Sequence, residues 1–487
     1  MTPHRDAPKP PPELWDRPEM AKALAERDMG QVLKIYQQWT GAPQTQLARM
    51  IGVGQPTISG IMQGKRRVET LALFERFASG LEIPPGRLGL ADPNQTIAPA
   101  QPTFTLPKVP TARPRVENTV DFLSTLWHAD LDQPNEQAAP DPTMWPEAAL
   151  DWLLHTGPRA PRQPSSGRRV GVPDIAAVQA TTAMFAGLDN RYGGGHARHG
   201  LISFLSGDVA TLLRGRYDAA TGERLFSTVA ESMLLAGWMA YDAGTHGLAQ
   251  RYLVQALHLA EYANDRRLAG SVLSAMSHQA TFLGDFHQAA CLARTAVVGT
   301  KDVATATMTA QFHAMEARAH AGNRDAAACD ASLSAAEAAF SRRNPGDDPE
   351  WIAYFDEAEL SAEFGHCFRD LGRAAGARAW AGRSVEASSD GTFARSDFFA
   401  AMVLADAHLD HGDPEPACTV ALQALTIGEQ LKSARCAQYV TEFRGRLAKV
   451  GRASIARRFT EQAAGHRLWQ RHDLTPDRGL RSRSPRR

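Results

Sequence analysis

Gln55, Thr57, Ser59 and Gly60 alternate with apolar Ile58 and Ile61, and the basic run Lys65, Arg66, Arg67 follows directly. A glutamine amide can make two hydrogen bonds to an adenine edge, a pattern that phosphate cannot imitate. The basic run suits a nucleic-acid backbone and adds a salt-dependent term. Residues 44–67 therefore hold the chemistry of a double-stranded DNA reader. Competing chemistries lack their parts. The chain has no G-x-x-x-x-G-K-[ST] phosphate loop, no G-x-S-x-G elbow, and five widely spaced cysteines without a Cys-x-x-Cys pair. His196 and His199 form a His-x-x-His and His313, Glu316 and His320 share a helix face, but neither group finds the further ligand that would complete a metal site. The run Gly193-Gly194-Gly195-His196 lacks the Lys-Ser/Thr of a phosphate cradle and reads as a flexible inter-helix loop. Neither an enzyme nor a cofactor or metal site is expected.

Two short helices must position the reading residues. Leu47, Ala48, Met50 and Ile51 can face a small core from the first. Ile58, Ile61 and Met62 hold the second at i, i+3, i+4 spacing. Gly52 between them supplies a left-handed turn that is cheap only for glycine. Pro56 falls in the first turn of the second helix, where a missing N–H is no loss. Asp28-Met29-Gly30-Gln31 has the spacing of a capping box opening a helix to Trp39. A later helix carrying Leu71, Leu73, Phe74, Phe77 and Leu81 closes the core. The pattern is a helix-turn-helix.

With Gln-x-x-Leu-Ala from Gln44, Gly52-Val53, Ile58-Ser59 and Gly64-Lys65 all present, the stretch resembles the Cro and phage-repressor (XRE) type of helix-turn-helix. The resemblance covers roughly residues 20–90 and implies a five-helix, lambda-repressor-like DNA-binding domain. It implies that Gln44 clamps a phosphate and that Gln55, Thr57, Ser59 and Gly60 occupy base-reading positions. Lys65, Arg66 and Arg67 would meet the backbone. Two departures stand out: Pro56 replaces a polar reader, and Gly60 carries no side chain. Fewer direct contacts shift part of the specificity to DNA shape. Such readers bind paired half-sites, so a homodimer on a double-stranded operator is implied.

Lys+Arg and Asp+Glu balance at 53 each, but unevenly along the chain. Residues 20–90 hold nine basic against five acidic side chains and residues 435–487 fourteen against four, leaving an acidic middle. The Pro-rich start has no apolar h-region, and no apolar run is long enough to span a membrane, so a cytoplasmic, nucleoid-associated protein is expected. The expected organisation is a disordered arm at 1–19, the helix-turn-helix domain at 20–90 and a Pro-rich linker at 91–118. Short helices with a flexible segment follow at 119–173, then helical repeats at 174–470 and a basic disordered tail at 471–487.

The repeats show in a register. Glycine recurs at Gly244, Gly284, Gly322, Gly372 and Gly412. Five residues on stands Ala249, Ala289, Ala327, Ala377 or Ala417, and twelve on Ala256, Ala296, Ser334, Ser384 or Ala424. Stacked helical hairpins need this pattern: a glycine at the turn, small residues where the second helix meets its neighbours. Cys291 and Cys329 read as packing thiols at one place in successive second helices. The stretch resembles tetratricopeptide repeats, an α-solenoid, so the whole chain is expected to be all-α. Helices at 174–226 and 433–470 would cap the two ends.

If that geometry holds, residues six and three before each glycine line a concave face: Trp238, His278, Glu316 and His366 at six, Tyr241 and Arg369 at three. An aromatic and ionisable lining suits a peptide, a polar small molecule or a partner protein. The leading reading is a sequence-specific transcriptional regulator with an effector- or partner-binding repeat domain. Its composition and the stretch 236–244 look actinobacterial, a group tied to development and secondary metabolism. The alternative is a protein-interaction scaffold in which DNA binding is secondary.

Overall fold

The computed structural model describes residues 14–15, 17–25, 28–66, 68, 71–83, 116–132, 138–154, 167–387, 391–450 and 452–470. Arg67, most of the expected arm and linker, and the basic tail lie outside the described residues. The chain divides into two units, Met1–Phe104 and Thr105–Arg487. All regular structure is helical; among the described residues the only β pairing is a single bridge between Arg169 and Arg216.

The first unit is a five-helix bundle: α1 (Pro18–Ala25), α2 (Met29–Thr40), α3 (Gln44–Ile51), α4 (Gln55–Met62) and α5 (Leu71–Leu81). Asp28 caps α2 by accepting the N–H of Gln31 at 3.0 Å. Gly52 ends α3 at φ +72°. Leu47, Ala48, Ile51, Ile58, Ile61, Phe77 and Leu81 fill one core, with Met50 packed partly against it. Two features were not read from the sequence. Leu14 and Trp15, inside the expected arm, are buried in this core, and Trp15 stacks on Tyr36 at 5.9 Å. Gly80 lets α5 press on α3, since a Cβ there would run into the backbone of Met50 and Ile51.

The second unit opens with α6 (Val116–Asp132), α7 (Met144–Leu154), α8 (Val172–Tyr192), α9 (Gly194–Phe204) and α10 (Ala210–Leu213), the last two joined by a π turn at Leu205–Val209. Five antiparallel pairs follow: α11 (Ala219–Asp242) with α12 (His246–Tyr262), α13 (Arg266–Phe282) with α14 (Phe286–Gly299), and α15 (Ala306–Gly322) with α16 (Ala326–Phe340). The last two are α17 (Glu357–Asp370) with α18 (Ala374–Ala387) and α19 (Ala394–His411) with α20 (Pro414–Gly428). α21 (Ala434–Leu447), α22 (Ala453–Ala463) and α23 (Arg467–Gln470) end it. The pairs form an α-solenoid, and no helix among the described residues is long and apolar enough to cross a membrane.

α6 and α7 belong to this unit. Thr119 bonds the Tyr262 hydroxyl at 3.1 Å, the Trp127 indole meets the Met233 sulfur at 3.3 Å, and Trp152 covers Gly299. Buried Asp130 pairs with Arg198 and accepts from the Tyr252 hydroxyl at 2.7 Å. The glycine run 193–195 is a tight junction instead of a flexible loop. Gly193, at φ +81°, separates α8 from α9, and buried Gly194 is pressed against Met239 and Asp242 of α11.

The repeat register needs one correction. Gly244, Gly284, Gly372 and Gly412 are left-handed turn residues, but Gly322 is the last residue of helix α15. The left-handed residue of that turn is Arg324 at φ +61°. The third repeat is therefore displaced by two positions. Cys329, not Ala327, is the small buried residue five past the turn, and Ala336, not Ser334, the one twelve past; Ala327 and Ser334 are exposed. Cys291 and Cys329 are accordingly not equivalent: Cys291 is exposed and Cys329 buried. Gly322 is needed for another reason, because the Phe286 ring lies where its Cβ would be.

Candidate nucleic-acid interface and the inner face of the repeats

α3 and α4 begin side by side, with Gln44 and Gln55 as their first residues. The Gln55 amide nitrogen donates to the Gln44 side-chain oxygen at 3.1 Å. That bond uses one of Gln55's two N–H groups and fixes the amide plane. The other N–H and the carbonyl stay free, which is the donor–acceptor pair an adenine edge requires. Neither helix start is capped by a side chain: Pro43 and Gly54 hold the N-cap positions. α3 therefore leaves the Gln44 and Thr45 N–H groups uncommitted and α4, with Pro56 second and the Thr57 N–H given to the Gly54 carbonyl, that of Gln55; with the positive ends of the two dipoles these form an anion site for phosphate.

Pro56 is exposed beside Gln55, while Thr57, Ser59 and Gly60 are half-buried along α4. The Ser59 hydroxyl accepts from Gln63 at 3.1 Å, so part of its capacity is spent within the helix. The Lys65 and Arg66 backbone N–H groups both donate to the Gly60 carbonyl, at 2.9 and 3.2 Å. This turns the basic run back over α4, and the Arg66 stem covers Gly60, 3.4 Å from where a Cβ would sit. Lys65 and Arg66 are exposed. The structure thus puts half-buried Gln44 and exposed Gln55, Lys65 and Arg66 on one small domain.

In the second unit the displaced third repeat changes the inner row. Six before each turn residue now stand Trp238, His278, Arg318, His366 and Asp406. Arg318 is the member that sequence reasoning missed, hidden by the glycine two residues before the true turn. Glu316, expected in this row, points elsewhere: it bonds Arg294 of α14 at 2.6 Å and His313 at 3.3 Å. Arg318 pairs with Glu363, and Arg369 bonds Asp370 at 2.9 Å and lies 3.6 Å from Asp406.

The Tyr241 hydroxyl bonds His278 Nδ1 at 3.0 Å, and Trp238 packs edge-on to the same imidazole at 5.2 Å. Burial first, then the nearby Arg435 and Arg318 charges, hold His278 neutral, well below the usual histidine range. His366 is held down in the same way, by burial and then Arg318 and Arg369.

α21 does not cap the far end of the array as expected; it lies against this inner row. The Arg435 guanidinium sits 4.5 Å over the Tyr241 ring and 4.4 Å over Phe399. Tyr439 packs on Phe399 at 4.8 Å and on His366 at 5.9 Å. Trp238, Tyr241, His278, His366 and Arg369 are thus brought together, but around a helix of the same chain. A half-enclosed cavity of about 450 Å³ remains between α13, α15, α17, α19 and α21, with Phe282, Arg318, Arg369, Tyr439 and Arg446 in its wall.

No curated protein matches the chain. Residues 28–88 match the family described as a helix-turn-helix domain, a span that contains α2 to α5, the Gly52 turn and the Gln44–Gln55 pair.

Proposed function

We propose that this protein is a sequence-specific DNA-binding regulator of transcription. Its reader is an XRE-type helix-turn-helix, and its α-solenoid, which resembles tetratricopeptide repeats, binds an effector or partner. The observation that carries the reading is the hydrogen-bonded Gln44–Gln55 pair at two uncapped helix starts. It joins a phosphate site to an oriented base-reading amide. The protein acts by binding, not catalysis, as a homodimer on a two-fold operator in the nucleoid. An actinobacterial role in development or secondary metabolism suits its composition.

Selection of bound DNA from a random pool tests the reading. A palindromic consensus supports reader and dimer together; no enrichment over random sequence overturns both. On the selected operator, Gln55→Ala is expected to cost about 1–3 kcal/mol and to relax one base position. Equal loss on cognate and scrambled DNA would show that Gln55 reads no base.

A further inference from the structure

The solenoid closes on itself. Asp242, the last residue of α11 and fully buried, accepts the Gly194 N–H at 2.8 Å with one carboxylate oxygen. Its other oxygen accepts the Ser433 hydroxyl at 2.8 Å, from a residue far along the chain at the start of α21. Arg395 of α19 bonds Asp189 of α8 at 2.7 Å and lies 3.9 Å from Asp242, as does Arg435. Two backbone bonds complete the seam: Gly195 N–H to the Lys432 carbonyl at 2.9 Å, and Lys432 N–H to the Tyr192 carbonyl at 2.7 Å.

The joints between successive repeats bury mainly alanine, leucine and other apolar side chains, whose exposure water penalises, with single polar pairs such as Arg318–Glu363 and Tyr241–His278 among them, and α21 adds Ala437, Val440 and Phe443 to the apolar core. At the seam itself the polar contacts are gathered in one place. Here two carboxylates, two guanidiniums, a hydroxyl and backbone groups meet, and each can be satisfied again by water once the seam parts. Local opening is drawn to joints of that sort. Ser433 and Arg435 also start α21, the helix that fills the inner face.

We propose that Asp242 is the latch of a closed solenoid, and that release of residues 432–435 from it lets α21 leave the inner face. Release of α21 then uncovers for an effector the parts of the inner face on which it packs, Tyr241 and His366 among them. The purpose assigned to the latch rests on the regulatory reading above, but the latch is tested without DNA, so the two fail separately.

The test uses the full chain and hydrogen exchange. An ideal Cβ on Gly195 lies 3.4 Å from the Lys432 Cβ, close to the spacing of a disulfide, and 2.9 Å from the Lys432 carbonyl oxygen, so the chain must yield slightly to accept it; both residues are exposed. Gly195→Cys with Lys432→Cys, in a Cys291→Ser background, is oxidised with glutathione disulfide to lock the seam and reduced to free it. Exchange in peptides spanning 432–447 is expected to slow at least tenfold on oxidation and to recover on reduction, with α13 and α15 unaffected. Asp242→Asn, which keeps the shape but loses the charge facing Arg395 and Arg435, is expected to speed the same peptides at least tenfold. Failure of the cysteines to cross-link, with exchange in Asp242→Asn no faster than in the parent chain, overturns the closed seam. Cross-linking with equal exchange in both redox states overturns the latch, and the cysteine pair decides this even if Asp242→Asn does not fold.

Discussion

Arg318→Met removes a guanidinium that only the corrected register places on the inner face, while keeping the length of its stem. Arg318 and Glu363 are both buried, with side chains 9% and 6% exposed. Glu363 already faces another acid, because Glu359 is pushed up by burial and then by the Glu363 charge. Deleting the cation leaves the buried Glu363 carboxylate without its partner, a change that costs about 3–5 kcal/mol when one partner of such a pair is removed. Glu363→Leu should cost a similar amount by stranding Arg318. The double variant should recover most of the loss, since a well-packed apolar pair of like volume is often no worse than the ion pair. Glu316→Gln should cost about 1 kcal/mol or less, because its principal partner Arg294 is mostly exposed and solvent screens the pair. Urea unfolding of the repeat unit, followed by tryptophan fluorescence, measures all four. An Arg318→Met loss below that of Glu316→Gln would refute the corrected register.

The same displacement separates two neighbours: Cys329→Leu should overpack the third repeat by about 1–3 kcal/mol, whereas Ala327→Leu should stay within about 0.5 kcal/mol, by thermal or urea midpoints. Equal effects would restore the unshifted register. Neutralising Lys65 should weaken all DNA alike and lower the log–log salt slope by about 0.9, the share of one phosphate that the variant leaves unneutralised; an unchanged slope removes Lys65 from the interface. Stability of the repeat unit should fall as pH rises through about 7. Burial raises the folded-state Glu231 carboxyl from 4.5 to about 7, so between those values the folded state holds more protons than the unfolded one. Glu359 is raised too and acts in the same direction. Below pH 6.5 His278 and His366, held neutral in the fold, oppose further gain. Melting temperatures rising steadily from pH 6.5 to 8.5 would contradict these environments.

The sequence alone settled what local rules control. Asp28 and Gln31 marked the start of α2, Gly52 the turn, and the i, i+3, i+4 run at Ile58, Ile61 and Met62 the reading helix, because capping, left-handed glycine and helical periodicity act within a few residues. The same locality made four of the five repeat turns legible. It failed at the third, where Gly322 serves a ring from the preceding repeat and a non-glycine residue takes the left-handed turn. No local signal separates a glycine needed for conformation from one needed for close approach. Leu14 and Trp15 were hidden for a related reason: a short apolar pair in a proline-rich arm has no period, and only the bundle supplies the partner that buries it. That Gln55 bonds Gln44, that Arg66 covers Gly60, and that α21 lies inside the solenoid instead of capping it are decisions of tertiary packing. Each depends on side chains distant in sequence competing for the same buried space, and periodicity within a helix holds no record of which one wins.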